Sequence, residues 1–260
     1  MNDKNTGDTA TMMRILDLDL DIFVTPINQI HSDSRLSNDE YDVLALEQVH
    51  QFMTKSCGLT DSAPIRGRTF EEHDELFDCL KYFIAIGELQ TPFELVHVDA
   101  HADMGAGQWT PYEYLLTNLM HRQSQDRVDP VKGSSGLNRG TVVLFLAACD
   151  WLSKIHYVHH ADDGKDFCEV FLEYDNSTDE LFFQIPRCSK TQFQKWKPPF
   201  NDVLDLRDQW ELGKRIPFQI SPLGDFCEPG FDFLFLTRSP GFTPPKADVV
   251  FESIRKYIQS

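Results

Sequence analysis

An α/β fold, with helices layered on a partly parallel sheet, is predicted by three successive stretches of the chain. Arg14–Phe23 alternates aliphatic residues with aspartates at the period of a strand. Phe70–Gly87 spaces its apolar side chains at helical intervals, and Pro92–Asp99 reads as a buried strand ending on a carboxylate. A strand, an amphipathic helix and a second strand in that order point to layered α/β architecture.

The remaining elements follow from the same patterning. Residues 1–12 are polar and read as a flexible segment, with residues 13–260 as a single domain. Pro26 closes the first strand. Asn38–Met53 has helical spacing, with Ser37 or Asn38 as cap and acidic residues in the first turn. Gly58–Gly67 reads as a loop before the helix that begins at Phe70 and stops near Gly87. Trp109–Arg122 looks helical, and the polar, glycine-bearing stretch Gln123–Arg139 looks like a loop. Thr141–Leu152 is apolar apart from Thr141 and Asp150, so periodicity does not choose between helix and strand. Ile155–His160, Glu180–Ile185 and Phe231–Thr237 read as strands, and Ala247–Ile258 as a closing helix with late basic residues.

The 260 residues suffice for one large domain, and 41% hydrophobic content with 20 phenylalanines supplies its core. Against 24 basic side chains stand 41 acidic ones, a net of 24 − 41 = −17. That excess repels nucleic acid and anionic membrane surfaces and attracts cationic ligands, although part of it serves solubility. Six scattered cysteines without a C-x-x-C pair, and no signal sequence or long apolar span, fit reduced thiols in a cytoplasmic enzyme.

Chemistry concentrates in V-H-V-D-A-H-A-D-M, Val96–Met104. Asp99 falls at the carboxyl end of a strand, the edge where ligands bind in such sheets, and His101 and Asp103 follow at alternate positions. The first strand brings Asp17, Asp19 and Asp21 on one face. Like charges clustered at strand ends oppose one another's ionisation, and a cation removes that penalty, which joins the two acidic segments into one site. His73, near the sheet-facing side of its helix, reads either as a further donor or as a buried structural histidine. His97 alternates away from Asp99's neighbours and reads as structural. His159 and His160 read as a proton shuttle or as part of a turn. Mixed oxygen and imidazole donors suit Mn(II), Fe(II), Co(II) or Zn(II), and carboxylates on two arms suit a metal pair that supports hydrolysis.

At these residues the chain resembles the arginase, agmatinase and deacetylase superfamily. D-A-H-A-D, Asp99–Asp103, is similar to its D-A-H-x-D motif, and L-D-L-D-L-D-I-F to its second D-x-D motif. The closer likeness is to the UPF0489 family, whose branch includes peptide arginases of ribosomal peptide biosynthesis. It rests on Asp19 to Phe23, His73, H-V-D-A-H-A-D-M and T-R-S-P-G-F-T-P-P, Thr237–Pro245, in that order along residues 14–250.

The resemblance implies a three-layer arginase-like fold with a mainly parallel central sheet. The order of its metal-binding segments is altered, because D-x-D here precedes D-A-H-x-D. It implies two Mn(2+) ions held by Asp19, Asp21, His73, Asp99, His101 and Asp103, with Asp99 and Asp19 bridging; the register Asp17 and Asp19 stays open. It also implies hydrolysis of the guanidinium of arginine in a precursor peptide, leaving ornithine and releasing urea, with Asp99, His101, His159 and His160 as catalytic candidates. Many relatives carry an acidic residue after R-S-P where this chain has Gly241, so either guanidinium recognition falls to another group or the substrate differs. Asp225, Glu228 and Asp232 are candidates, and Arg238 and Ser239 either shape the pocket rim or fix a turn. Alternatives are a ureohydrolase for a small guanidino compound and a noncatalytic, metal-dependent peptide-binding protein; a deacetylase, which manages with fewer carboxylates, fits less well. A homo-oligomer is left open.

Overall fold

The structure, a computed structural model, describes residues 12–161, 167, 169–196 and 209–259. Residues 1–11 of the expected flexible segment, and Cys168, lie outside the described residues. The strands are β1 (Arg14–Asp19), β2 (Val24–Thr25), β3 (Asp42–Val43), β4 (Ile65–Phe70), β5 (Phe93–Val98), β6 (Leu152–His159), β7 (Leu172–Asp175), β8 (Glu180–Phe183), β9 (Pro186–Arg187), β10 (Glu211–Leu212), β11 (Ile216–Pro222), β12 (Phe233–Thr237) and β13 (Ile258–Gln259). The α-helices are α1 (Leu46–Gln51), α2 (Glu75–Ala85), α3 (Trp109–Thr117), α4 (Val142–Ala148), α5 (Lys190–Trp196) and α6 (Asp248–Ile254).

Nine strands form one sheet in the order β13-β4-β12-β1-β5-β6-β11-β8-β7. The seven from β13 to β11 run parallel, and β8 and β7 extend the edge as an antiparallel hairpin. Strand alternation then sorts the apolar residues onto two faces. Ile15, Leu95, Phe233 and Phe235 enter a core with residues of α2, α3 and α4. Leu16, Leu18, Val96, Val98, Leu234 and Leu236 enter another with residues of α1 and α6. Buried on both sides, the central strands are the near-continuous apolar runs that parallel sheets require, an arrangement compatible with three layers.

The sheet places the site. Leu18 pairs with Val98, Asp19 with Thr237, and Thr237 with Phe70, so β4, β12, β1 and β5 end side by side. From β1 the chain crosses to β4 on one side and then to β5 on the other, and crevices at such reversals bind ligands.

Several elements differ from the sequence reading. The first strand ends at Asp19, because that side chain accepts a hydrogen bond from the Asp21 amide and turns Leu20–Phe23 into a 3-10 helix. The helix read as Asn38–Met53 starts only at Leu46 and continues as a wide π-turn over Phe52–Ser56. Val43 instead pairs with Val24, and Asn38 is engaged by Lys246, so neither Ser37 nor Asn38 caps it. The loop read over Gly58–Gly67 already contains the start of β4, and Phe70 closes that strand rather than opening α2. Thr141–Leu152 resolves into α4 followed by the first residue of β6. The closing helix ends at Ile254, a 3-10 turn follows, and Ile258 joins the sheet edge. The five described cysteines are free. No helix among the described residues is long and apolar enough to cross a membrane.

Candidate metal centre

Four strand ends deliver the polar cluster. β1 carries Asp17 and Asp19, and the capped 3-10 turn after it keeps Asp21 buried beside them. Past β4, Glu75 accepts from the amides of Glu71 and Glu72, at 3.2 and 2.9 Å, and this closed turn holds His73 inward. Asp99 follows β5 directly, with His101 and Asp103 in the succeeding loop. Past β12, the amides of Arg238 and Ser239 bond to the carbonyls of Phe70 and Glu71, which binds this turn to the one before His73. Asp103 and Ser239 both adopt left-handed backbone, φ 49° and 46°, a strained conformation that side chains rarely take and that gathers at functional sites.

Five aspartates, 17, 19, 21, 99 and 103, are each no more than 7% exposed. Burying that many carboxylates without a counter-charge is prohibitive, and the histidines show where the counter-charge goes. His73 Nε2 donates to Asp17, lying 3.1 and 3.0 Å from its two oxygens. The other nitrogen, Nδ1, faces Asp103 Oδ2 at 2.6 Å, Asp99 Oδ2 at 3.3 Å and Asp19 Oδ2 at 3.6 Å, yet forms no hydrogen bond of acceptable geometry. His101 repeats the pattern. Its Nε2 donates to the Asn28 carbonyl at 3.0 Å, while Nδ1 lies 3.0 Å from Asp21 Oδ2 and 3.8 Å from Asp99 Oδ1.

In both rings one nitrogen is fixed by an outer acceptor and the other is aimed at carboxylates, the arrangement that orients histidine for a metal. A buried, unpartnered imidazole nitrogen among three carboxylate oxygens fits a cation. Asp19, His73 and Asp99 form one group able to hold a metal ion, and Asp21, Asp99 and His101 another; Asp99 belongs to both, with Oδ2 toward His73 and Oδ1 toward His101.

The electrostatics agree. Burial raises the Asp99 carboxyl well above the usual range, and the neighbouring charges of Asp21, Asp19 and Asp103 raise it further. Asp19 is raised for the same reasons, burial first and Asp21 next. Burial disfavours a charged His101 ring, but hydrogen bonding and charge from Asp21, with charge from Asp99 and Asp103, push it up to about 11. His73 is also raised, burial being outweighed by Asp17 and Asp103. Without metal, then, burial and like charge favour protonation within the cluster, and a bound cation would displace those protons.

No protein-family model, curated protein or solved structure matches this chain.

Asp19, Asp21, His73, Asp99, His101, Asp103 and Ser239 therefore meet in one place, where they line a cavity of about 250 Å³. Ser239 donates its hydroxyl to Asp19 Oδ2. Asp17 lies underneath, spanned by His73 and by His97, whose Nδ1 is 2.8 Å from Asp17 Oδ2. Burial opposes its ionisation, but the two histidines outweigh that and hold its carboxyl low. Of the two registers, Asp19 and Asp21 face the cavity and Asp17 braces a histidine. His97 does not turn away from Asp99, since its Nε2 lies 3.6 Å from Asp99 Oδ2 while it donates to the His101 carbonyl. Residues 97 and 99 share strand parity, so they share a face.

Other candidates lie elsewhere. His159 meets the His160 carbonyl through Nδ1, and His160 meets Thr25 and lines a separate cavity. Glu228 pairs with Arg14 and His156, and Asp232 accepts from the Arg14 amide, at the opposite end of β1 from the cluster. Asp225 is exposed and outside the cavity wall. Arg238 is spent on Glu71 and Asp248 and lies over the Phe251 ring, 4.1 Å from its centroid.

The wall instead includes Gln29, His31, Gln108, Arg139 and Phe242, none singled out from the sequence. His31 and His101 both pack on Phe242, at centroid distances of 5.4 and 4.8 Å. Residues 29 and 31 follow the first strand closely, Phe242 lies in the S-P-G-F-T-P-P block, and Gln108 and Arg139 lie in the glycine-bearing loops after Met104 and through Gly133–Gly140, which the sequence alone leaves as cleft lining or inert surface.

Proposed function

We propose that this chain is a hydrolase of the arginase type that holds two Mn(2+) ions and converts arginine within a peptide to ornithine, releasing urea. The observation that carries this reading is the Asp99 carboxylate, one oxygen toward Nδ1 of His73 and the other toward Nδ1 of His101. A carboxylate shared in that way is what a metal pair requires. His73, Asp19, Asp99 and Asp103 would hold one ion, and His101, Asp21, Asp19 and Asp99 the other. Bound there, divalent cations supply a water acidic enough to attack at neutral pH and Lewis-acid stabilisation of the tetrahedral carbon.

The chain's own residues supply the remainder. The overall charge of −17 favours approach of a cationic substrate group. Outside the cluster the wall contains no further carboxylate among the described residues, so the Gln29 side-chain carbonyl would accept from the guanidinium. His31 borders the cavity and would pass a proton to the departing amine, a role its position suits better than those of His159 and His160.

The test is incubation of the Mn(2+)-loaded protein with an arginine-containing peptide, free arginine, agmatine and an acetyl-lysine peptide. Urea together with an ornithine peptide, and no acetate, is the expected outcome. Turnover of the small compounds alone would move the substrate to free guanidino metabolites. Bound but unconverted peptide at full metal occupancy would make the protein a binder.

A further inference from the structure

The cavity wall formed by Gln108 and Arg139 is donor-rich, opposite in character to the aspartate cluster it shares a cavity with. Arg139 follows Asn138, whose side chain caps a short 3-10 turn by accepting from the Gly140 amide, and this fixes the backbone of the arginine. One guanidinium nitrogen, NH1, lies 3.1 Å from Glu72 Oε2 but at an angle that gives an ion pair without a hydrogen bond; it is shielded from solvent and has no hydrogen-bond acceptor. Gln108 has its side-chain oxygen occupied by the Asn138 amide at 2.9 Å. Its Nε2 packs so closely over Gly140 that a Cβ there would lie 2.6 Å away. What Gln108 has left to offer a ligand is a donor.

A second arginine beside a pocket that admits a guanidinium would repel it, unless the ligand also carries negative charge for that arginine. We infer that Arg139 and Gln108 form a subsite for a carboxylate borne by the same substrate whose cationic end meets the aspartates. This deepens the guanidine-hydrolase reading and rests on it for the identity of the cationic end. Arg139 is matched to a carboxylate by its planar donors, and Glu72 occupies the guanidinium when no substrate does. The carboxylate is either the α-carboxylate of a free amino acid or an acidic side chain next to arginine in a peptide.

The experiment compares 4-guanidinobutyrate, butylguanidine and butyrate, titrated calorimetrically into the Mn(2+)-loaded full chain and its Arg139→Gln, Arg139→Lys and Glu72→Gln variants. Guanidinobutyrate is expected to bind about tenfold more tightly than butylguanidine. Arg139→Gln should erase that difference by weakening guanidinobutyrate and, with the repelling charge gone, tightening butylguanidine; Arg139→Lys should keep part of the difference, and Glu72→Gln should widen it by freeing the guanidinium. A preference absent from the native chain, or one that survives Arg139→Gln, overturns the subsite. If neither guanidino compound binds or is hydrolysed, the guanidine reading fails and butyrate decides the subsite: binding weakened by Arg139→Gln and strengthened by Glu72→Gln supports it, and anything else overturns it. Turnover of free arginine against agmatine, and of Arg-Asp against Arg-Asn peptides, then separates the two sources of carboxylate.

Discussion

Asp99 is the residue on which both halves of the cluster turn. Replacing it with asparagine keeps the volume but removes the shared charge, so Asp99→Asn should lose Mn(2+) stoichiometry and turnover together, as metal analysis and urea release would show. Asp17 acts at one remove, holding Nε2 of His73 so that Nδ1 faces the other carboxylates. Asp17→Asn should therefore lower metal affinity by about 10- to 100-fold while leaving the His101 side nearly intact, measurable by calorimetry as a split between two binding steps. The pH dependence has a definite sign. In the metal-free cluster, despite burial, the neighbouring aspartates push the His101 ring up to about 11, and Nδ1 must lose its proton to bind a cation. Affinity should rise with pH through the neutral range, by about tenfold per unit for each proton displaced; an affinity independent of pH in that range would contradict the assigned ligands. The candidate ligands of β1 and D-A-H-A-D could be read from the sequence because strand alternation and short spacing put donors on one face or in one turn, whereas His73 lies in neither pattern and the residues alone left it between donor and structural histidine. Arg139 and His31 could not, since nothing local distinguishes an arginine or a histidine in a polar loop from one on a cavity wall.

At the scale of elements, what was readable was what is periodic. β1, β5 and α2 are long and patterned by burial. β4 escaped notice because Arg66 and Arg68 flank Gly67, a sequence that looks like loop. The glycine is there because the neighbouring strand comes so close that a Cβ would lie 1.7 Å from the Leu234 carbonyl oxygen. A similar close approach explains Gly241. Its carbonyl accepts from the Ser32 amide at 3.1 Å, and a Cβ would fall 2.3 Å from the His31 ring and 2.7 Å from the Ser32 carbonyl oxygen. A side chain at 241 and the present loop over residues 28–32 exclude each other. Gly241→Asp should push His31 away from the cavity at a stability cost of about 1–3 kcal/mol. kcat/KM should fall by about tenfold or more, with the metal content unchanged. Loss of metal in that variant would instead place the loop among the supports of the ligands.

For the whole molecule, the long parallel sheet explains how ligands from residues 19 to 103 and the Ser239 hydroxyl converge without a local motif joining them. Its general class could be anticipated from strand and helix alternation, whereas strand order could not, because the pairing of β12 between β4 and β1 is decided by packing of distant apolar runs. A cation bound by the folded cluster alone stabilises the whole sheet. At a free Mn(2+) concentration 100-fold above Kd the gain is about 2.7 kcal/mol, which for a chain of this size is roughly 5–10 °C in Tm. Differential scanning calorimetry with Mn(2+) and with chelator should show that gap, and Asp99→Asn should close it.

The place of β12 in the sheet has a consequence for biosynthesis. His73 follows β4 and Asp19 ends β1, two strands that are joined in the sheet only through β12, which pairs with both. During translation β1, β4 and β5 emerge long before Phe233–Thr237. The nascent chain would thus carry its aspartates before His73 is fixed beside them, and the candidate metal site would be complete only after residue 237 has left the ribosome and β12 has inserted. Metal loading at this cluster would then be a late event, coupled to completion of the sheet rather than to the appearance of the candidate ligands.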